Sequence, residues 1–115
     1  MGGEESEHPI YADVLDWVEA VTPLIRQIAQ HNSNLADQLD RASVSVALNC
    51  SEGMFGRGRR RVAAYGIAAQ EMGESVTALE VAHRRRYIEP LAPWLHELSR
   101  KILGTLVKLA FPSRR

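Results

Sequence analysis

The segment Gln38–Arg61 reads QLDRASVSVALNCSEGMFGRGRRR, and it predicts a helical hairpin. Apolar and small residues recur at helical spacing in its first half, a glycine-rich turn follows, and a run of arginines opens the next helix. We expect the second helix of the chain to run from about Leu35 to Glu52. Gly53 should end that helix in a positive-φ conformation.

Three further amphipathic segments flank this hairpin. The first begins at Ile10, and its apolar residues recur every three or four positions through Ile28, so the helix should stop near His31. Pro23 lies inside this pattern, where it should kink the helix without ending it. The third helix is predicted from about Arg59 to Arg86, and the fourth follows a proline-containing connection.

The fourth segment carries more apolar residues than one internal seam needs. Its main stripe is Leu91, Leu95, Leu98, Ile102 and Leu109. A second stripe beside it is Leu103, Leu106 and Val107. A stripe of this width predicts burial against another subunit.

The predicted fold is an all-α, antiparallel, up-down-up-down four-helix bundle over residues 10–111. Residues 1–9 are expected to be a flexible N-terminal tail, and residues 112–115 a C-terminal tail. A length of 115 residues fits one domain, and the alanine- and leucine-rich composition, with 6% aromatic residues, favours helices over strands.

The net charge is zero, but the charges are segregated along the chain. Residues 1–40 hold eight acidic and one basic residue, a net charge of −7, whereas the other 75 residues hold 13 basic and six acidic ones, a net charge of +7. The two parts could neutralise each other within the fold or between subunits. Alternatively, the basic part faces a polyanion.

Seven arginines in two clusters are the predicted nucleic-acid-binding residues. They are Arg57, Arg59, Arg60 and Arg61 at the start of the third helix, and Arg84, Arg85 and Arg86 at its end. Cations at a helix N-terminus oppose the helix dipole, which points to an external phosphate partner. The alternatives are a solvated basic turn and pairing with the acidic first helix of a neighbouring subunit.

A set of polar residues on the second and third helices is predicted to lie in the core and fix the helix register. The set is Arg41, Asn49, Glu52, Glu74 and Thr77. Asn49 and Glu52 could instead bind a ligand, since they are three positions apart on one helical face.

No catalytic, cofactor or metal motif is recognisable in the sequence. The four histidines lack metal-ligand spacing with one another or with Cys50, so we expect no metal site, no cofactor and no enzymatic activity. A single cysteine, with no secretory signal and no apolar run of spanning length, predicts a cytoplasmic protein without a membrane partner.

The hairpin sequence resembles a motif of the bacterial 23S rRNA intervening-sequence protein family, once labelled S23 ribosomal proteins. The family typically reads Q-I-R-R-A-A-V-S-I-P-S-N-I-A-E-G. The matching residues here are Gln38, Arg41, Ala42, Val44, Ser45, Asn49, Glu52 and Gly53. Further matches are Trp17, Glu74, Thr77, Leu79 and Ala82, while Ala47 and the glycine-arginine turn depart from the family pattern.

This resemblance implies a ring-shaped homo-oligomer, often a pentamer, with no assigned activity. The accessory variability protein of diversity-generating retroelements resembles the family in fold, and it binds nucleic acid and a reverse transcriptase through a basic surface. We therefore expect a non-enzymatic, homo-oligomeric bundle that binds RNA or DNA, with a reverse transcriptase as a candidate partner. The alternative is a protein-interaction scaffold whose arginines pair between subunits.

Overall fold

The computed structural model describes residues 9–112, which form four α-helices and no strand. The helices are α1 (Pro9–Ala29), α2 (Ser33–Phe55), α3 (Gly58–Arg84) and α4 (Pro93–Ala110). Each helix packs against the next and α4 packs against α1, so the four enclose one core in a body of 45 × 26 × 23 Å. The predicted up-down-up-down bundle is therefore confirmed. The predicted tails lie outside the described residues, apart from Pro9 and Pro112.

The inner face of α1 follows the predicted spacing. Ile10, Val14, Trp17 and Val21 are buried along it, and the helix continues through Pro23. A proline removes one backbone hydrogen bond, and the packed face compensates for that loss.

The end of α2 corrects the expectation for Gly53. The helix continues through Gly53 to Phe55 and ends at Gly56. Gly53 is buried, and a Cβ atom at this position would lie 2.8 Å from three atoms of the Tyr65 ring. Glycine is needed here because the Tyr65 ring lies against the α2 backbone. The positive φ of this hairpin belongs to Gly58, the first residue of α3.

The α2–α3 pair makes the most extensive contact between helices in the bundle. Its buried residues are mostly small on both sides, such as Ala42 and Ser43 on α2 and Ala64 and Ala68 on α3. Small side chains allow two helix backbones to approach closely. Val62, in the first turns of α3, lies outside this interface and is exposed.

The position of Leu106 corrects the expectation for α4. Leu106 is fully buried in its own chain, on a seam with Leu95, Ile102 and Ala110. Leu103 is half-buried and Val107 is exposed. Residues 95, 102 and 106 are separated by seven and four positions, which places them on one face of the helix. Leu106 therefore gives no support to a contact between subunits.

A buried hydrogen bond joins α1 to α4. Trp17 Nε1 donates to Ser99 Oγ at 3.0 Å, and Ser99 Oγ donates to the backbone oxygen of Leu95 at 2.8 Å. Both side chains are in the core, so the Trp17 N–H depends on Ser99 for its acceptor, whereas the Ser99 hydroxyl also has the Leu95 backbone oxygen.

Substitution of Gly53 should show how tightly α2 and α3 pack. We expect Gly53→Ala to lower the free energy of unfolding by about 1–3 kcal/mol, because the new methyl group would overlap the Tyr65 ring. Gly66→Ala is the control, since nothing lies within 4 Å of a Cβ there. It should raise stability by up to about 1 kcal/mol through helix propensity. Urea denaturation followed by circular dichroism measures the free energy of unfolding of both variants. Equal changes in the two variants would contradict the close contact between Gly53 and the Tyr65 ring.

Removal of the Ser99 hydroxyl should leave the Trp17 N–H buried without an acceptor. We expect Ser99→Ala to cost about 1–3 kcal/mol in thermal or chemical unfolding. Ser75→Ala is the matched control: Ser75 is also buried, but its hydroxyl only donates to the Glu71 backbone oxygen. A loss as large for Ser75→Ala as for Ser99→Ala would contradict the prediction.

Candidate nucleic-acid interface

The turn between α2 and α3 presents three exposed arginines, Arg57, Arg59 and Arg60, which we call the turn cluster. Arg57 is the N-cap residue of α3, its backbone is extended, and no side chain caps the helix. By contrast, Asn32 Oδ1 accepts a hydrogen bond from the Leu35 N–H, at 2.9 Å, at the start of α2. The first turn of α3 therefore combines uncapped backbone donors with arginine side chains, which is an arrangement suited to an anion.

Arg61 has a different role from the turn cluster. Its Nη1 donates to the backbone oxygen of Gly53 at 3.1 Å, and its guanidinium carbon lies 5.1 Å from the centroid of the Tyr65 ring. The side chain is half-buried. Arg61 therefore fixes the hairpin, and its hydrogen bond satisfies a carbonyl in the last turn of α2.

Two titratable groups beneath this turn, the Cys50 thiol and the Tyr65 hydroxyl, are neutral at neutral pH. Burial raises the pKa of the Cys50 thiol to about 11. Burial also raises the pKa of the Tyr65 hydroxyl, the Arg61 cation opposes that shift, and Cys50 adds to it. A thiol held in its neutral form is a poor nucleophile, which agrees with the interpretation of Cys50 as a core residue.

The second arginine cluster has different surroundings. Arg84 and Arg85 line a groove between the C-terminal half of α3 and the N-terminal half of α4, with a volume of about 860 Å³. Arg100 of α4 also lines the groove, and sequence reasoning missed it. Arg100 lies beside Lys101 on α4, and nothing in the local sequence links this pair to the arginines at the end of α3.

Arg86 adopts a left-handed backbone conformation, with φ of 65°. Its N–H donates to His83 O at 2.9 Å, and the Tyr87 N–H donates to Ala82 O at 2.8 Å. These two bonds form a Schellman motif, whose left-handed position is usually a glycine. The Tyr87 ring then stacks on His31 at a centroid distance of 5.0 Å, which joins the α3–α4 connection to the end of α1.

The two clusters lie at opposite ends of α3. At 1.5 Å per residue, the separation between Arg59 and Arg84 along the helix is roughly 38 Å. One chain therefore cannot present them as a single patch.

The predicted polar core is corrected by the structure. Arg41, Glu52, Glu74 and Thr77 are exposed, because they lie on the outer flanks of α2 and α3. The Asn49 amide is half-buried and donates to Ser45 O and Ser45 Oγ, at 2.9 and 3.1 Å, so both bonds stay within α2.

Three residues of the polar set line two different grooves, and Asn49 and Glu52 line neither of them. Arg41 and Glu74 line a groove of about 300 Å³ between α2 and α3, together with Gln38 and Glu71. Thr77 lines the larger α3–α4 groove. The set therefore forms no common cluster within one chain.

Residues 9–112 hold no group of three or more His, Cys, Asp or Glu side chains that could bind a metal ion. None of the four described helices combines the length and the hydrophobicity needed to cross a bilayer.

Comparison with known proteins identifies one family. A family model described as 23S rRNA-intervening sequence protein matches residues 6–106, which include α1, α2, α3 and most of α4. No curated protein and no solved structure gives a significant match.

The left-handed Arg86 gives a stability prediction. Arg86→Gly should raise the free energy of unfolding by about 1 kcal/mol, because glycine adopts this conformation without steric cost. Arg85→Gly removes the same charge at a residue with φ of −80°, and it should lower stability instead. Thermal unfolding of both variants checks the prediction, and a loss in Arg86→Gly would contradict it.

Proposed function

The chain belongs to the 23S rRNA-intervening sequence protein family, and we propose that it is a self-associating helical bundle that binds nucleic acid through the turn cluster. The observation that carries this proposal is the position of Arg57, Arg59 and Arg60 at the uncapped N-terminus of a 27-residue helix. Phosphates of RNA or DNA are the anions that such a site fits.

The surroundings of the turn cluster favour an external partner. Among residues 9–112, none of its three arginines forms a salt bridge, and Lys101–Asp13 is the one ion pair found there, at 3.0 Å. Three guanidinium groups beside the positive end of a helix dipole repel one another and the dipole. A phosphate would relieve this repulsion and accept hydrogen bonds from both the side chains and the backbone.

The seven arginines predicted from the sequence divide into four roles in this proposal. The turn cluster binds phosphate, Arg61 holds the turn in place, and Arg84 and Arg85 belong to the α3–α4 groove. Arg86 shapes the connection after α3. The phosphate contacts of the turn cluster would position the nucleic-acid backbone and carry no base preference.

A pure protein scaffold is the second candidate function. The charge segregation along the chain favours it, because the single ion pair among the described residues leaves most charges without a partner in the same chain. A reverse transcriptase as partner is what the resemblance to retroelement proteins implies, and it stays a prediction.

Salt-dependent binding of a fluorescent single-stranded RNA, measured by anisotropy, tests the nucleic-acid proposal. We expect Arg59→Ala/Arg60→Ala to weaken binding by about tenfold or more at low salt. The slope of log K against log[salt] should become shallower by about 1–2, since each lost phosphate contact removes one released counterion.

Arg26→Ala/Lys108→Ala is the matched control, because it removes the same charge from exposed positions outside both clusters. It should keep most of the affinity and the slope. An equal loss in both variants would indicate attraction by net charge alone. Absence of salt-dependent binding by the wild-type chain would refute the nucleic-acid role and leave the scaffold.

A further inference from the structure

We propose that the α3–α4 groove holds the outer face of α1 from a second copy of the chain. This inference rests on the self-association part of the proposed function. It adds which two surfaces of the chain form the contact and how that contact repeats from one copy to the next.

The groove is apolar along its floor and cationic along its rim. Val76, Leu79, Leu91 and Leu103 supply apolar surface between the two helices. Arg84, Arg85 and Arg100 supply three cations against the single acid Glu80. A ligand that fits this groove therefore combines apolar side chains with negative charge.

The outer face of α1 has the complementary composition. Leu15 is 45% exposed in the chain, and the half-buried side chains of Tyr11 and Val18 lie four positions before it and three positions after it. Ala12, Asp16 and Glu19 are exposed at the spacing that places them beside Leu15 on one helical face. Neither Asp16 nor Glu19 is in a salt bridge with another described residue, whereas Asp13 pairs with Lys101.

The same chain cannot bring these two surfaces together. α1 packs against α2 and α4 with its inner face, so its outer face points away from the bundle. The groove lies between α3 and α4, on another side of the molecule. The acidic α1 and the basic groove can neutralise each other only between copies, which is one of the outcomes that the charge segregation left open.

Two different surfaces in one contact make the interface head-to-tail. Each copy then uses its α1 face toward one neighbour and its groove toward the other, and such an arrangement closes into a ring when the rotation permits. The turn cluster lies at the opposite end of α3 from the groove, so it stays exposed and is repeated once per copy.

Charge reversal on each surface, followed by restoration in combination, tests the interface in the full chain. We expect Asp16→Arg/Glu19→Arg and Arg84→Glu/Arg100→Glu each to raise the dissociation constant of self-association by tenfold or more in sedimentation velocity. The quadruple variant carries both reversals and should associate again, because its two surfaces are complementary with exchanged signs. If the quadruple variant stays dissociated, the proposed charge pairing between the α1 face and the groove is wrong.

Two further variants separate this interface from general effects. Asp37→Arg/Asp40→Arg makes the same charge change at exposed α2 positions and should leave association unchanged. Leu15→Ser tests the apolar contact without a charge change and should weaken association, with circular dichroism confirming the fold. If none of these reversals changes self-association, the proposed interface is wrong, but self-association itself still stands. A wild-type chain that is monomeric would overturn self-association itself, whatever the outcome for RNA.

Discussion

The contact between Gly53 and the Tyr65 ring determines how close α2 and α3 lie, and the rest of the bundle depends on that distance. Arg61 reinforces this contact, because its guanidinium group donates to the Gly53 backbone oxygen and also lies over the Tyr65 ring. Three residues within thirteen positions thus fix the hairpin. A side chain at position 53 would separate the helices and also displace Arg61 from the carbonyl that it satisfies.

This arrangement explains why arginines of one cluster differ in role. Arg61 is held by the hairpin, so its charge is already engaged, whereas Arg57, Arg59 and Arg60 project from a helix terminus. At the other end of α3 the cations face a groove with an apolar floor. Phosphate suits the first setting and an amphipathic acidic helix suits the second, although both settings look alike as runs of arginine.

The sequence predicted the helices and the α1 face with Trp17, because periodicity reports directly on which side of a helix is buried. It failed where a residue's role depends on a partner distant in the sequence. The sequence pattern at Gly53 is typical of a helix end, because the contact with the Tyr65 ring exists only in the packed fold. Leu106 exceeds the predicted stripe because spacing alone does not show which face of α4 is buried. Sequence reasoning missed Ser99 and Arg100 because their surroundings depend on packing: α1 brings Trp17 to Ser99, and α3 forms a groove with the part of α4 that carries Arg100.

The bond between Trp17 and Ser99 joins residues 82 positions apart, whereas most other helix contacts join neighbours in the chain. Neighbouring helices can meet after closing only short loops, which is entropically inexpensive. The α1–α4 seam instead requires the whole chain to be arranged first. Formation of the bundle should therefore begin with the three hairpins and end with the hydrogen bond between Trp17 and Ser99. The α1–α4 seam would then be the last contact to form and the first to open.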